Sequence, residues 1–448
     1  MRHLQLLSLL FVSLATVSGQ GEDWPQWQGP NRDGIIREKN LVRNLPAEGL
    51  KVLWRQEIAG GYSGPSVADG KVFVSDYVRQ VGDASNDPGG RRQLAGKERV
   101  LCFDAASGKK LWEHAYECQY NISYPAGPRC APTVSQGSVL ALGAEGDLVC
   151  LNAQDGSLVW KKSLRDTYKA ETPIWGYSAP PLVIDNLVIT LAGGEGSIVV
   201  ALDLTTGEEK WKALSASEIG YCPPVLIDRQ GTAELLVWTA DELCGLDPTT
   251  GKVFWQVPLK PRYGMSIAAP QISGDMIFAS GIGDTAGMYR LGAAKTAPEL
   301  LWKGKPKMAL YCGNSTPTFV DGMIYGADCQ VGSMLAVKAS DGSRAWETFA
   351  PTTGRPGRAS HGTVFLNRYD DLFYLFTETG DFVIAKLSAD AYTEVGRAHV
   401  IDPTGECFGR NVVWSYPAYA NSCLFVRNDK EIICVDLSQD QKGAKSTR

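Results

Sequence analysis

Seven times along the chain a bulky or polar side chain stands three residues ahead of a Pro that introduces two short apolar runs. These side chains are Tyr62, Arg129, Tyr177, Tyr221, Ile267, Asn314 and Trp414, in openings such as "YSGP", "RCAP" and "WSYP". An eighth opening has His361-Gly362 in place of the small-residue-Pro step, with Arg358 and His361 near the equivalent place. Aromatic and Arg side chains are the types enriched at binding hot spots. If the openings converge, Tyr62, Arg129, Tyr177, Tyr221, Asn314, Arg358, His361 and Trp414 form an aromatic and cationic ring, whose chemistry is recognition.

Catalytic signals are weak beside this pattern. Three His follow the first residues of the chain (His114, His361 and His399), and no H-E-x-x-H, C-x-x-C, G-x-S-x-G or Walker pattern occurs. The string "GIGDTAG" at 281–287 lacks the βαβ surroundings of a dinucleotide loop and reads as a turn between strands. Asp370-Asp371 reads as a hairpin turn. The insertion "GDASNDPGGRRQLAGKE" at 82–98 carries Asp83, Asn86 and Asp87, oxygen ligands of the kind Ca²⁺ takes, but its composition is that of a mobile polar loop. No catalytic residue, metal or cofactor is assigned.

The elements that must position the ring are legible from a second repeat. "DAASGKKLW" ends at Trp112, "NAQDGSLVW" at Trp160, "DLTTGEEKW" at Trp211, "DPTTGKVFW" at Trp255 and "KASDGSRAW" at Trp346, each with Gly four residues before the Trp. The leading Asp or Asn bonds to the backbone of the turn, Gly supplies positive φ, and the flanking alternation is that of half-buried strands. Each Trp then buries a large ring at a fixed place. A recurrence of roughly 40 to 50 residues with about four strand signals per copy predicts a β-propeller. Eight openings predict eight blades.

Two copies have decayed. The fifth, "GAAKTAPELLW", keeps Trp302 but has Pro298 at the Gly position, and the seventh, "KLSADAYTEVGR", keeps neither Gly nor Trp. The eighth is split between "EIICVDLSQD" at 431–440 and "LKVLWRQEI" at 50–58, which brings Trp54. Pairing these segments closes the ring and removes an exposed sheet edge. The expected division is therefore a leader at 1–19, an arm at 20–49 in which Trp24 and Trp27 act as a clasp, the propeller at 50–440 and a tail at 441–448.

Composition agrees with many short strands: 48 Gly and 24 Pro in 448 residues, with no collagen period. A net charge of -5 with both signs scattered gives no basic stripe for nucleic acid. The short basic start, the apolar run Leu4 to Leu14 and the small residues Val17-Ser18-Gly19 form a secretory signal, too short to span a bilayer. No Cys follows it to carry a lipid anchor. Of eleven cysteines, Cys102, Cys150 and Cys434 occupy a small buried position of the repeat and read as core thiols; Cys118 with Cys130 and Cys312 with Cys329 are candidate pairs whose connectivity sequence does not set.

The repeated turns resemble the tryptophan-docking motifs of the quinoprotein-type, PQQ-like eight-bladed propellers, over residues 24 to 440. "DWPQWQGPNRDG", "WGYSAPP", "GNSTPTFVDGMIYG" and the stretch from "VVWSYPAYANSCLF" onward are similar to secreted bacterial PQQ-like repeat proteins, and so to the propeller lipoprotein of outer-membrane protein assembly. The enzymes of that superfamily hold a quinone with Ca²⁺ on Glu, Asn and Asp, and the alcohol dehydrogenases add a vicinal disulfide. This chain has no adjacent cysteines and no aligned Glu-Asn-Asp set. The expectation is an all-β, eight-bladed, monomeric propeller, periplasmic or extracellular, binding a protein or envelope partner through its channel mouth. The alternatives are a quinoprotein oxidoreductase and a carbohydrate-binding propeller.

Overall fold

The computed structural model describes residues 22–439; the expected leader and the tail at 441–448 lie outside them. Short runs alternating apolar and polar residues, punctuated by Gly and Asp turns, form antiparallel sheets of four strands in sequence order. The third opening, for example, leads into Leu182–Ile184, Leu187–Leu191, Val199–Asp203 and Glu209–Ala213. The middle strands are buried on both faces, whereas the fourth exposes every residue but its Trp to at least some solvent. Seven sheets have four strands, and that of Val364–Tyr369 takes Ile35–Ile36 as a fifth, parallel member. The architecture is an all-β propeller.

One sheet draws on both ends of the described chain. Val52–Glu57 pairs antiparallel with Glu431–Asp436, Trp54 opposite Cys434, outside Cys423–Arg427 and Ala418–Ala420.

The tryptophan motif latches one sheet to the next. Asp104 accepts from the backbone N–H of Ser107 (2.8 Å), and Asp203 from those of Thr205 and Thr206 (2.9 and 3.1 Å), holding the turn ahead of the fourth strand. Gly108 and Gly207 take φ of +71°, in the left-handed region, and a Cβ there would lie 2.6 Å from the ring of Trp54 and 2.7 Å from that of Trp160. Gly is thus needed for backbone conformation and for space, because the preceding sheet's Trp lies on it. The indole then donates into the same turn: Trp54 to Ala105 O, Trp112 to Ala153 O, Trp160 to Leu204 O and Trp211 to Pro248 O, at 2.9 to 3.2 Å. Trp302 and Trp346 donate likewise to Ala339 O and Ser388 O but are half-buried.

The decayed copies are compensated. Trp255 finds no standard turn in the fifth sheet and donates instead to Glu234 of its own sheet. Glu234 pairs with buried Arg229 (3.2 Å), whose guanidinium donates to the carbonyls of Gly292, Ala293 and Thr296 in the fifth sheet's turn. In the seventh sheet Gly396 stands where Trp is expected, and Leu45 of the arm packs over it, 3.1 Å from the place of a Cβ.

Two expectations are corrected. All eleven cysteines are free thiols. Cys118 lies in an apolar cluster with Tyr77 and Tyr120 while Cys130 packs with Leu140 and Tyr177, so different clusters hold them apart. Cys312 and Cys329 share one cluster and remain unbridged. The insertion is not a free loop: its second half enters the strand Arg92–Asp104, which pairs with Lys71–Val81 and Lys110–Ile122 well beyond the length of other strands. Arg91 donates to Asn121 O (2.6 Å) and Thr172 O (2.8 Å), and Asn86 to Glu406 O. Asp83 and Asp87 face Arg92.

Candidate functional site

The openings do converge. Tyr62, Arg129, Tyr221, Ile267, Asn314, His361 and Trp414 line one cavity of about 670 Å³, within the usual range of ligand pockets. Two ring candidates lie elsewhere. Gly176 adopts a left-handed turn (φ +71°), and Tyr177 after it enters the core, covering Gly146 and donating its hydroxyl to Ala192 O (2.9 Å). Trp175, before the turn, lines the cavity in its stead. Arg358 is exposed on a surface loop and donates to Gln330 O (3.3 Å).

Arg129 organises the wall. Its Nε donates to Trp175 O (2.8 Å) and its Nη2 to Ser123 O (2.8 Å) and Tyr124 O (2.6 Å), while the guanidinium stands 5.3 Å from the Tyr62 ring centroid. Trp414 donates to Glu378 (3.1 Å) and lies 6.0 Å from Tyr124. His361 stacks on Phe408 with centroids 5.5 Å apart; burial, with Arg410 nearby, pushes its pKa down to about 4, so the ring is neutral near pH 7. Tyr221 lies 5.8 Å from Trp175 and is 3% exposed; its hydroxyl finds no acceptor, and Nδ2 of Asn314 is likewise buried without a partner.

Exposure gives the cavity a direction. Tyr263 (65% exposed) and Phe408 (46%) mark the rim, and Trp27 (5%) the floor, edge-to-face with Tyr416 at 5.7 Å. Trp27 belongs to the arm, which crosses the ring. Trp24 bridges to Val67, Pro25 O accepts from Val134 N, Arg32 donates to Pro180 O and Pro224 O (both 3.2 Å), and Arg368 N donates to Gly34 O. A segment that touches the inner edges of so many sheets lies across their common axis. Burial lowers the pKa of Arg32 to about 9, and its guanidinium also donates to Gln26 Oε1 (2.8 Å). Trp24 and Trp27 are therefore buried, as expected of a clasp, but Trp27 also floors the site.

Sequence reasoning missed Trp27, Tyr124, Trp175, Tyr263, Phe408 and Tyr416 as cavity residues. Trp175 and Tyr416 stand within two residues of the counted position, so a window around each opening would have found them. Phe408 and Tyr263 sit in a hairpin and a short 3-10 turn that carry no repeat signal.

A Ca²⁺-quinone centre does not fit these residues. Of the Glu, Asn and Asp that would hold Ca²⁺, the described cavity wall has Glu218, which is exposed, and Asn314, and it has no Asp.

A family profile described as "Outer membrane protein assembly factor BamB" matches residues 96–348, more than half of the chain. The chain belongs to that family. BamB of Yersinia pestis is 24% identical over 264 residues, 54% of this chain and 59% of that relative, so the match spans about three fifths of its length. The quinoprotein alcohol dehydrogenase PedH of Pseudomonas putida is 32% identical over 124 residues, 25% of this chain and 19% of the enzyme. In fold, the quinohemoprotein alcohol dehydrogenase of Comamonas testosteroni matches 95% of this chain and 82% of its own, at TM-score 0.58 and 14% identity.

Proposed function

We propose that this protein is a non-catalytic scaffold that binds a protein partner of the bacterial envelope at the cavity mouth, and that its sheets close into an eight-bladed ring from 50 to 440. Membership of the assembly-factor family supports an envelope partner and a periplasmic place of action. The observation that carries the reading is the composition of the cavity: aromatic walls, a neutral His361 and an Arg129 committed to carbonyl groups, with no hydrogen bond, among the described residues of the wall, that joins a Ser, Thr or Cys to a His or a carboxylate. Such a site presents stiff contact area and lacks a proton-transfer pair. The test is affinity capture from an envelope extract with wild type and with Trp175→Ala and Trp414→Ala. Loss of a specific partner from both variants, at unchanged melting temperature, supports the reading; wild-type capture by both overturns it.

The quinoprotein alternative is favoured by local identity with quinoprotein dehydrogenases, PedH among them. Dye-linked alcohol oxidation by protein supplied with quinone and Ca²⁺ would establish it.

A further inference from the structure

The cavity is a blind cup. The arm closes the axis beneath it through Trp27 and Arg32, so whatever enters leaves by the rim of Tyr263 and Phe408. A partner strand cannot thread the ring; it can only insert a tip. Inside, the flat groups Trp175, Tyr124 and Trp414 offer faces and edges to another ring. Three buried polar atoms of the lining residues lack a partner, the Tyr62 and Tyr221 hydroxyls and Asn314 Nδ2; each can donate, and a buried donor without an acceptor is a cost that a ligand carbonyl or carboxylate would relieve. Arg129, the cation of the wall, bonds to carbonyls and to no carboxylate, while Glu218 stands exposed. The cup therefore favours an aromatic group accompanied by negative charge.

Resting on the protein-binding reading above, we propose that the cup receives a single projecting loop of the partner, an aromatic side chain entering first with an acidic residue beside it. A sugar would also stack on these rings, and the titration below separates it from an aromatic side chain.

The experiment is calorimetric titration of the full chain with the capped peptide Ac-Gly-Asp-Trp-Gly-NH2, beside versions with Ala for Trp and with Lys for Asp, and with maltotriose. The Asp-Trp peptide should saturate one site, the Ala version should not bind, and the Lys version should bind at least ~10-fold more weakly. Tyr221→Phe removes the unpaired hydroxyl and should weaken the Asp-Trp peptide several-fold while leaving the melting temperature unchanged or raised, a combination that a purely structural tyrosine would not give. Equal binding of the Asp and Lys peptides, binding of the Ala version, or binding of maltotriose alone overturns the inference. If no peptide binds at millimolar concentration but the envelope partner still depends on Trp175 and Trp414, the loop-tip inference falls and the scaffold reading stands. If capture is also independent of those residues, both fall.

Discussion

A histidine held neutral between an aromatic ring and an arginine stores a pH dependence. His361 titrates near 6.5 when unfolded and is pushed down to about 4 in the fold. The unfolded chain therefore binds the extra proton first as pH falls, so this contribution to stability is fully present above about 6.5 and is lost progressively towards about 4. Replacing His361 with Gln should flatten the stability profile across that window by up to about 1.4 kcal/mol per pH unit, read by denaturant titrations from pH 4 to 7. The docking tryptophans make a second residue-scale prediction. Trp160→Ala and Trp211→Ala each remove a buried ring and its bond to the next sheet, and should cost about 3–5 kcal/mol in urea unfolding. Tyr177→Ala belongs with them, as a core truncation. The Asp, Gly and Trp of each motif were legible because one residue type answers one backbone demand. Tyr177 was misplaced because a left-handed Gly176 reverses which neighbour faces the axis, and residue counting carries no φ.

Within the strands, the sequence showed where a copy fails but not what replaces it. Pro298 marks the broken turn of the fifth sheet, yet the repair comes from Arg229 and Glu234 on the preceding sheet, more than sixty positions upstream. Arg229 is 3% exposed and Glu234 fully buried, so each is tolerable only while the other is present. Arg229→Met should therefore cost about 3–5 kcal/mol by leaving a buried carboxylate, whereas Arg229→Met with Glu234→Leu should recover part of that loss. Recovery stays partial, since the Trp255 indole loses its acceptor. A double-mutant cycle in urea measures the coupling, and additive costs would show that the pair is not the latch. The same limit applies to Leu45 over Gly396: the absence of Trp was visible, the substitute was not, because it arrives from the arm rather than from the repeat.

At the scale of the whole molecule, one sheet joins Val52–Glu57 to the last described strand, and the arm reinforces that junction. Val52–Glu57 has its single partner strand in Glu431–Asp436, and Arg55 pairs with Glu431 across them at 2.9 Å. Leu41 bridges to Ser438, and Ser422 N donates to Glu38 (2.9 Å), so the arm also holds the closing sheet. The pairing of Val52–Glu57 with Glu431–Asp436 was readable from the sequence, since each of the two segments carries half of one motif. The arm's passage across the axis was not, since it follows no period. A chain ending at residue 430 would lose the strand that Trp54 packs against and would expose the edges of Cys423–Arg427 and Val52–Glu57, a template for pairing between molecules. Such a chain should aggregate on expression, as read by size-exclusion chromatography of the soluble fraction. A monomeric, cooperatively melting product would mean that the arm alone holds the ring shut. In that case the variant Trp27→Ala within the truncated chain, which removes the arm's anchor beside Tyr416, should be the change that brings aggregation back.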